Sequence, residues 1–207
     1  YRNIQRFICF QLVVNVTALL LVLGGSFIGT ELPLTITQML WVNLIMDTFA
    51  AMALASLPPE SDVMAKKPRK QTDFIINRTM GWAISIVGIL FFGMMLALLW
   101  YFEKVAGVSP RELTIFFTIF VMLQWWNLFN AKTLGGSRTA FHRLAADKGL
   151  LLVLAIILGG QWLIVEFGVK MFRTTPLDVE TWLWIILGTS PLFIIGEVLR
   201  AVRRLRS

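Results

Sequence analysis

One acidic residue, Asp47, lies inside residues 33–57, a stretch that is otherwise apolar and long enough to cross a lipid bilayer. An ionised carboxylate at the centre of a membrane helix costs about 2.5–3.5 kcal/mol on insertion scales, so such residues usually serve a function. Asn43 comes four residues earlier, which on an α-helix places its amide on the same face one turn away. Carboxylate and amide oxygens suit calcium, magnesium or alkali cations. The pair therefore predicts half of a cation site.

Four other polar side chains are expected at membrane depth, namely Asn15, Gln124, Asn127 and Asn130. An amide of this kind commonly hydrogen-bonds a neighbouring helix and contributes about 0.6 kcal/mol. That interpretation is favoured for the first three when each is taken singly. Asp47 differs, because a buried carboxylate must be paired, protonated or metal-bound, and the sequence offers no intramembrane Lys or Arg to pair with it.

The sequence offers no sign of catalytic machinery. It contains no glycine-rich phosphate loop, no Ser/His/Asp set and no Cys/His metal-ligand spacing. The single histidine, His142, falls in a basic loop and is expected to be solvated. The single cysteine, Cys9, excludes an internal disulfide and is expected to be a small buried hydrophobe. We therefore predict no catalytic residue and no cofactor site within this segment.

The composition defines an integral membrane protein, since 57% of the 207 residues are hydrophobic and 15% are charged. The mean hydropathy is +0.74. About 20 helical residues cross the roughly 30 Å hydrocarbon core. We predict an all-α bundle of six transmembrane helices, which forms one domain over residues 1–207. The expected helices are 3–28, 33–57, 74–102, 112–131, 148–168 and 180–203.

The basic residues predict the orientation of this bundle. Most of the 19 Lys and Arg residues fall at the first end, in the second and fourth loops, and in the tail. By the positive-inside rule, both termini lie in the cytoplasm of a multi-pass cell-membrane protein. The net charge of +7 then reflects the orientation of the chain in the membrane. Nucleic-acid binding is disfavoured, because short juxtamembrane loops scatter the basic residues.

Residues 38–48, with the sequence Gln-Met-Leu-Trp-Val-Asn-Leu-Ile-Met-Asp-Thr, resemble the sixth transmembrane helix of P-type calcium ATPases of the plasma-membrane type. The likeness continues to Pro58-Pro59. Four further stretches resemble the fifth helix, the sixth-to-seventh loop and the eighth helix of that family: 10–16, 67–69, 75–80 and 124–130. The resemblance covers essentially the whole chain and is strongest over residues 10–80.

The resemblance implies helices five to ten of the ten in a pump that uses ATP to export calcium against protons. Asn43 and Asp47 would coordinate calcium, together with a fourth-helix glutamate and backbone carbonyls that this chain does not contain. The family's phosphorylated aspartate, nucleotide-binding lysine and actuator motif all precede such a segment. Magnesium and ATP would therefore act only in the full-length protein, and the segment alone should not hydrolyse ATP. Its partners would be the amino-terminal helices, the actuator, phosphorylation and nucleotide domains of the same polypeptide, and the lipid bilayer.

Three positions depart from the two-site, sarcoplasmic-reticulum type of the family. Ala18 and Gln124 replace glutamates, and Met46 replaces a threonine. The resemblance therefore implies one calcium per cycle, with Asn15 and Gln124 as auxiliary amides at most. The start at Tyr1, with basic residues already at a membrane boundary, suggests a piece of a longer polypeptide. Basic loops without an evident calmodulin-binding extension favour a bacterial inner membrane.

Two alternative functions stay open on sequence grounds. In an ATP-independent transporter coupled to protons or cations, Asp47 would titrate, although the inverted repeats typical of such proteins are not evident. In a non-catalytic membrane scaffold, the basic tail at residues 200–206 would bind anionic lipid, although a simple positive-inside anchor is the favoured explanation of the tail. An upstream Asp-Lys-Thr-Gly-Thr sequence in the reading frame would decide for the pump.

Overall fold

The computed structural model describes residues 2–29, 34–58, 75–76, 78–134, 139–141, 144 and 147–206, without the side chains of 79, 83, 199, 203, 204 and 206. His142 and nearly all of the charged loop after Pro58 lie outside this part. Within it, six helices are long and apolar enough to cross a membrane: Arg2–Ile28, Ile36–Ala55, Met80–Ala106, Pro110–Lys132, Lys148–Phe167 and Val179–Val202. No β-strand occurs in these ranges. The predicted all-α bundle of six membrane helices is confirmed.

The spans are not all single α-helices. The elements in chain order are α1 (Arg2–Ile28), α2 (Ile36–Leu40), a first π-helical segment (Trp41–Met46), α3 (Asp47–Ala55), α4 (Arg78–Tyr101), a second π-helical segment (Phe102–Ala106), α5 (Pro110–Lys132), α6 (Lys148–Phe167), α7 (Val169–Phe172), α8 (Val179–Thr189) and α9 (Pro191–Arg206). The second span is thus α2, the first π segment and α3 in succession. The sixth is α8 followed by α9.

Local sequence explains where several elements begin and end. Thr35 forms a capping box with Gln38 at the start of α2, which satisfies two backbone groups reciprocally. Ser109 caps α5, and Pro110 occupies its first turn, where a missing N–H costs nothing. The sixth span breaks before Pro191, since proline cannot donate to the helical ladder. Ser190 keeps helical backbone angles, so α8 and α9 together form one span over Val179–Val202, where we expected a helix over 180–203.

Helix α5 lies at the centre of the bundle. It packs against α1, α3, α4, α6, α8 and α9. About two thirds of its apolar stretch, 67%, is buried, whereas the figure for the last span is 18%. Large apolar side chains on the other spans face outward, among them Phe27, Trp82 and Trp184. Such side chains suit contact with lipid tails, while α5 provides the protein interior.

Two ion pairs lie at the end of the bundle that carries Arg2, Lys132 and Lys148, here called the basic end; the first joins α5 to the start of α6, and the second lies within α9. Lys132 Nζ lies 2.7 Å from Asp147 Oδ2, and both side chains are buried. At the same end Arg200 lies 2.8 Å from Glu197 Oε1.

The same Arg200 links α9 to α5. Its Nη1 and Nη2 donate to Asn130 Oδ1 at 3.2 and 3.3 Å. The Ala140 amide donates to Glu197 Oε1 at 2.8 Å. These bonds fasten the connection between α5 and α6 onto α9.

The opposite end carries an exposed ion pair between α5 and the start of α8. Arg111 Nη2 lies 2.5 Å from Asp178 Oδ1, with about half of each side chain exposed. The hydroxyl and backbone N–H of Thr181 also donate to the Asp178 carboxylate, at 2.9 and 3.1 Å. These Thr181 bonds, and then the bond from Arg111, hold the pKa of Asp178 below its ordinary value.

Candidate cation site

The first π segment brings the chain to Asp47 through a widened turn. A π-helix closes i→i+5 hydrogen bonds in place of i→i+4, and such stretches occur frequently at functional sites. Here the segment runs from Trp41 to Met46, and Asp47 is the first residue of the regular helix that follows. The Trp41 ring packs so closely on Gly160 of α6 that a β-carbon at position 160 would overlap it. The second span therefore packs against α6 at the start of the π segment, six residues before Asp47.

Asp47 is buried, with 4% of its surface exposed. Neither carboxylate oxygen has a hydrogen-bond partner among the described residues. An ionised carboxylate can only accept hydrogen bonds, and leaving it buried without a donor or a cation is costly. The helix that it begins packs against α1, α5 and α6. A buried oxygen pair without donors fits a bound hard cation.

Asn43 does not share this burial. Its side chain is exposed, as are those of Leu44 and Ile45, whereas Val42 and Met46 are buried. Asn43 thus lies at the boundary between the outer and inner faces of the π segment. The four-residue spacing predicted that both side chains occupy one face, but only Asp47 points into this bundle. Asn15 on α1 is likewise exposed.

Gln124 is the predicted auxiliary residue that the structure places inside the bundle. Its side chain is fully buried, and neither its amide oxygen nor its amide nitrogen is partnered among the described residues. Asn127, one turn further along α5, is also buried, and its Nδ2 has no partner there. Asn130 is different, since it accepts hydrogen bonds from Arg200. Of the three amides on α5, Asn130 is therefore structural, whereas Gln124 and Asn127 each have buried amide atoms without a partner among the described residues.

Thr17 on α1 is a polar interior residue that the sequence reasoning missed. It is completely buried, and its hydroxyl has no partner among the described residues. The available signal was weak: a hydroxyl two positions after Asn15 in an apolar span. Threonine is ordinary in membrane helices because it can bond its own backbone.

The donor set that results consists of one carboxylate with neutral oxygens. No group of three or more His, Cys, Asp or Glu side chains comes together in the described ranges. A tetrahedral zinc site needs such nitrogen and sulfur ligands. Oxygen ligands with a single charge instead suit calcium or an alkali cation.

A six-helix membrane bundle with a buried acid at a π-helical widening fits an ion-transporting membrane domain. Residues 31–202 match the family described as cation transporting ATPase, C-terminus. The chain belongs to this family.

Similarity to individual proteins narrows the class. The chain is 36% identical over 214 aligned residues to plasma membrane calcium-transporting ATPase 3 of Homo sapiens, covering 98% of the chain and 18% of that protein. It is 37% identical to plasma membrane calcium-transporting ATPase 4 of Bos taurus, with the same two coverages. The corresponding protein 2 of Oreochromis mossambicus is 35% identical, over 98% of the chain and 19% of that protein.

These similarities confirm the resemblance to plasma-membrane calcium pumps that residues 38–48 indicated. The chain spans about a fifth of the length of these relatives. It is thus similar to their carboxy-terminal membrane region, which is the part that the matching family describes.

Proposed function

We propose that this chain is the carboxy-terminal part of the membrane domain of an ATP-driven calcium pump and supplies half of a single calcium site. The observation that carries the proposal is Asp47, a carboxylate buried at mid-span whose two oxygens have no partner among the described residues. Calcium would be the transported ion. The similarity to plasma membrane calcium-transporting ATPases supports calcium over other hard cations.

The proposed number of ions is based on the buried side chains at positions 18, 46 and 124. Ala18 and Met46 are buried, at 5% and 0% exposure, so both positions belong to the interior. Neither side chain offers an oxygen. Gln124 is neutral and can contribute one amide oxygen. Among the described residues, the buried carboxylates are Asp47 and Asp147, and Asp147 is paired with Lys132 at the basic end. One buried carboxylate is thus left for a cation, which supports one calcium ion rather than two.

Asn43 and Asn15 belong to the other side of the proposed site. Both are exposed in this bundle, on the two spans that also carry the buried Asp47 and Ala18. We propose that the amino-terminal helices of the same polypeptide cover these amides and bring the fourth-helix glutamate against them. In that arrangement Asn43 is a calcium ligand at the junction of the two parts, and Asn15 is an auxiliary amide.

Hydrogen bonds at the basic end support a coupling role for the start of α1. Asn3 Nδ2 donates to the carbonyls of Ala55 at 3.0 Å and Leu57 at 2.9 Å, where the second span ends. Gln5 Nε2 donates to the Ile75 carbonyl at 2.7 Å, just before α4. A push on the first turns of α1 would therefore reach the helix that carries Asp47. The proposed source of this push is the phosphorylation domain.

The remaining parts of the proposal concern the whole pump. Phosphorylation, nucleotide binding and the requirement for magnesium belong to its other domains, and the segment alone is inactive. Both termini lie in the cytoplasm, as the basic end suggests. A bacterial inner membrane is proposed from the sequence alone, whereas the relatives named above are vertebrate proteins.

The decisive experiment is Asp47→Asn in the complete pump. The change keeps the size of the side chain and removes its charge, so calcium-dependent phosphorylation from ATP should be abolished. Asp178→Asn is the matched control, because the same chemical change is made at an exposed carboxylate. Phosphorylation by inorganic phosphate without calcium reports that each variant is folded. Calcium-dependent phosphorylation in a folded Asp47→Asn pump would overturn the site, and calcium transport without ATP would favour a secondary transporter.

A further inference from the structure

Helix α6 contacts the second span on both sides of Asp47. Towards the end of the bundle opposite the basic end, a β-carbon on Gly160 would lie 2.9 Å from Cζ2 of the Trp41 ring and closer still to Cη2. Towards the basic end, a β-carbon on Gly149 would lie 3.0 Å from Ser56 Oγ. Asp47 comes between Trp41 and Ser56 in the chain, and the helix that it begins packs against α6. Two glycines of α6 thus let the second span approach closely on either side of the acid.

The side chains of α6 between these glycines can act on the acid only through packing. Residues 150–159 consist of Leu, Val, Ala, Ile and one Gly. None of these side chains offers an oxygen to a cation. This stretch of α6 can therefore influence where Asp47 lies, but its side chains cannot bind the ion.

Hydrogen bonds to the central helix α5 fix α6 around Gly160. Gln161, the next residue, is completely buried, and its Nε2 donates to Thr118 Oγ1 at 3.3 Å. Closer to the basic end, Trp125 Nε1 donates to the Leu154 carbonyl at 3.0 Å. Both bonds join α5 to α6. Helix α6 therefore has little freedom to move away from the second span.

The start of the second span is fixed as well. Thr37 Oγ1 donates to the Met171 carbonyl and Gln38 Nε2 donates to the Phe172 carbonyl, both at 2.9 Å. These carbonyls belong to α7, which follows α6. Trp41 comes three residues after Gln38, and 8% of its surface is exposed. Since the supports on both sides are fixed, pressure on this rigid ring would be relieved in the π segment, which begins at Trp41 and ends just before the acid.

We propose that Gly160 is a positioning residue for the cation site. Its lack of a side chain lets the Trp41 ring pack on α6, and this contact fixes the position in which the π segment presents Asp47. The proposal rests on the proposed calcium site and adds to it a residue that does not touch the ion. Groups that orient a metal ligand without touching the metal typically change the affinity by about 10–100-fold when they are lost.

The test is Gly160→Ala in the complete pump, with calcium as the probe. The added methyl group displaces the Trp41 ring, so half-maximal ATPase activity should need about 10-fold more calcium. Saturating calcium should restore a near-native maximal rate, because no ligand is removed.

Gly159→Ala is the matched control. It makes the same change one position earlier, at an exposed site where a β-carbon would meet none of the described residues beyond its own stretch of helix within 4 Å. Both variants gain the same helix propensity. Gly159→Ala should leave the calcium dependence unchanged. An effect as large as that of Gly160→Ala would assign the loss to the backbone of α6 and overturn the proposal.

Trp41→Phe tests the contact from the other side. The shorter ring withdraws the atoms that lie against Gly160, so calcium activation should again weaken by about 10-fold. Because both changes act on one contact, the double variant should stay near about 10-fold, whereas independent effects would multiply to about 100-fold. Phosphorylation by inorganic phosphate without calcium identifies folded variants. Native calcium affinity in folded Gly160→Ala, or the multiplied loss in the double variant, overturns the proposal. If Gly160→Ala does not fold, native affinity in Trp41→Phe overturns it.

Asp47→Asn separates this proposal from the site on which it rests. Abolished calcium-dependent phosphorylation in Asp47→Asn, together with native affinity in Gly160→Ala, would overturn the positioning role and leave the proposed site standing. Calcium-dependent phosphorylation in a folded Asp47→Asn pump would overturn both.

Discussion

At the scale of single residues, the molecule depends on which polar groups are satisfied by their own helix and which are not. Asp47 could be recognised from sequence, because an acid without a basic partner in an apolar span is costly wherever it points. The burial of the Thr17 hydroxyl without a partner could not be recognised from sequence, since the bond from a threonine to its own backbone depends on the side-chain rotamer. The exposure of Asn43 also escaped prediction. The four-residue rule gives proximity along a face but does not say where the buried face ends.

The buried side chains at positions 18, 46 and 124 lead to a prediction about stoichiometry. Since Ala18 and Met46 provide no oxygen and Gln124 provides no charge, the complete pump should transport one calcium ion per ATP hydrolysed. Calcium uptake into sealed vesicles and phosphate release, measured on the same sample, give this ratio. A value of two would mean that a second site exists despite these substitutions.

At the scale of elements, hydropathy predicted the six spans, but their internal breaks depend on other causes. The break before Pro191 has a signal in the sequence, because proline ends the ladder. The first π segment has none that we can identify, since Trp41–Met46 is apolar apart from Asn43 and would also fit an α-helix. The close packing of the Trp41 ring on Gly160 shows that tertiary contacts act on this segment.

The two ion pairs that join elements should differ strongly in their contribution to stability. Asp147→Asn removes the carboxylate charge that lies 2.7 Å from the Lys132 ammonium, and loss of one partner of a buried ion pair typically destabilises by about 3–5 kcal/mol. Asp178→Asn removes an exposed pair and should change stability little. Thermal inactivation of the purified pump in detergent would measure both. Equal shifts for the two variants would contradict the ranking.

The exposed pair also has a defined pH dependence. Because the pKa of Asp178 is lowered in the folded chain, its contribution is complete above the ordinary aspartate pKa of about 3.9. That contribution is lost as the pH falls through the lowered value. At neutral pH the comparison between Asp147 and Asp178 is therefore made with Asp178 fully ionised.

At the scale of the whole molecule, low hydropathy marks the span that lies at the centre of the bundle. Helix α5 and the second span are less apolar than the other four, yet α5 is the most buried. A helix that faces lipid must be apolar over its lipid-facing side, whereas an interior helix can carry groups such as Thr118 and Gln124 around more of its surface. The central place of α5 was therefore partly readable from sequence. The order of its neighbours was not, because hydropathy carries no information on which spans touch.

The contacts at the start of α1 predict a variant that separates ion binding from transport. Asn3→Ala removes two hydrogen bonds to the end of the second span, each worth about 1 kcal/mol, so turnover should fall by up to about 30-fold while calcium affinity changes little. Ile4→Ala, at an exposed neighbouring position, is the control and should retain native turnover. ATPase rates measured over a range of calcium concentrations distinguish the two effects. An unchanged maximal rate in Asn3→Ala would count against mechanical coupling through this contact.

The first π segment makes chain length the sensitive property of the second span. Each residue of an α-helix turns the chain by about 100°, and a π stretch accommodates one residue more than the α ladder would hold. Because the widened turn absorbs that extra residue, deleting a single residue between Trp41 and Met46 would restore the ordinary ladder and leave the outer side in nearly the same orientation relative to Asp47. Inserting one more residue would rotate the outer side by about 100°. A substitution at the same positions leaves the angle intact. Over these six residues, an insertion is therefore more damaging than a single-residue deletion or a change of side chain.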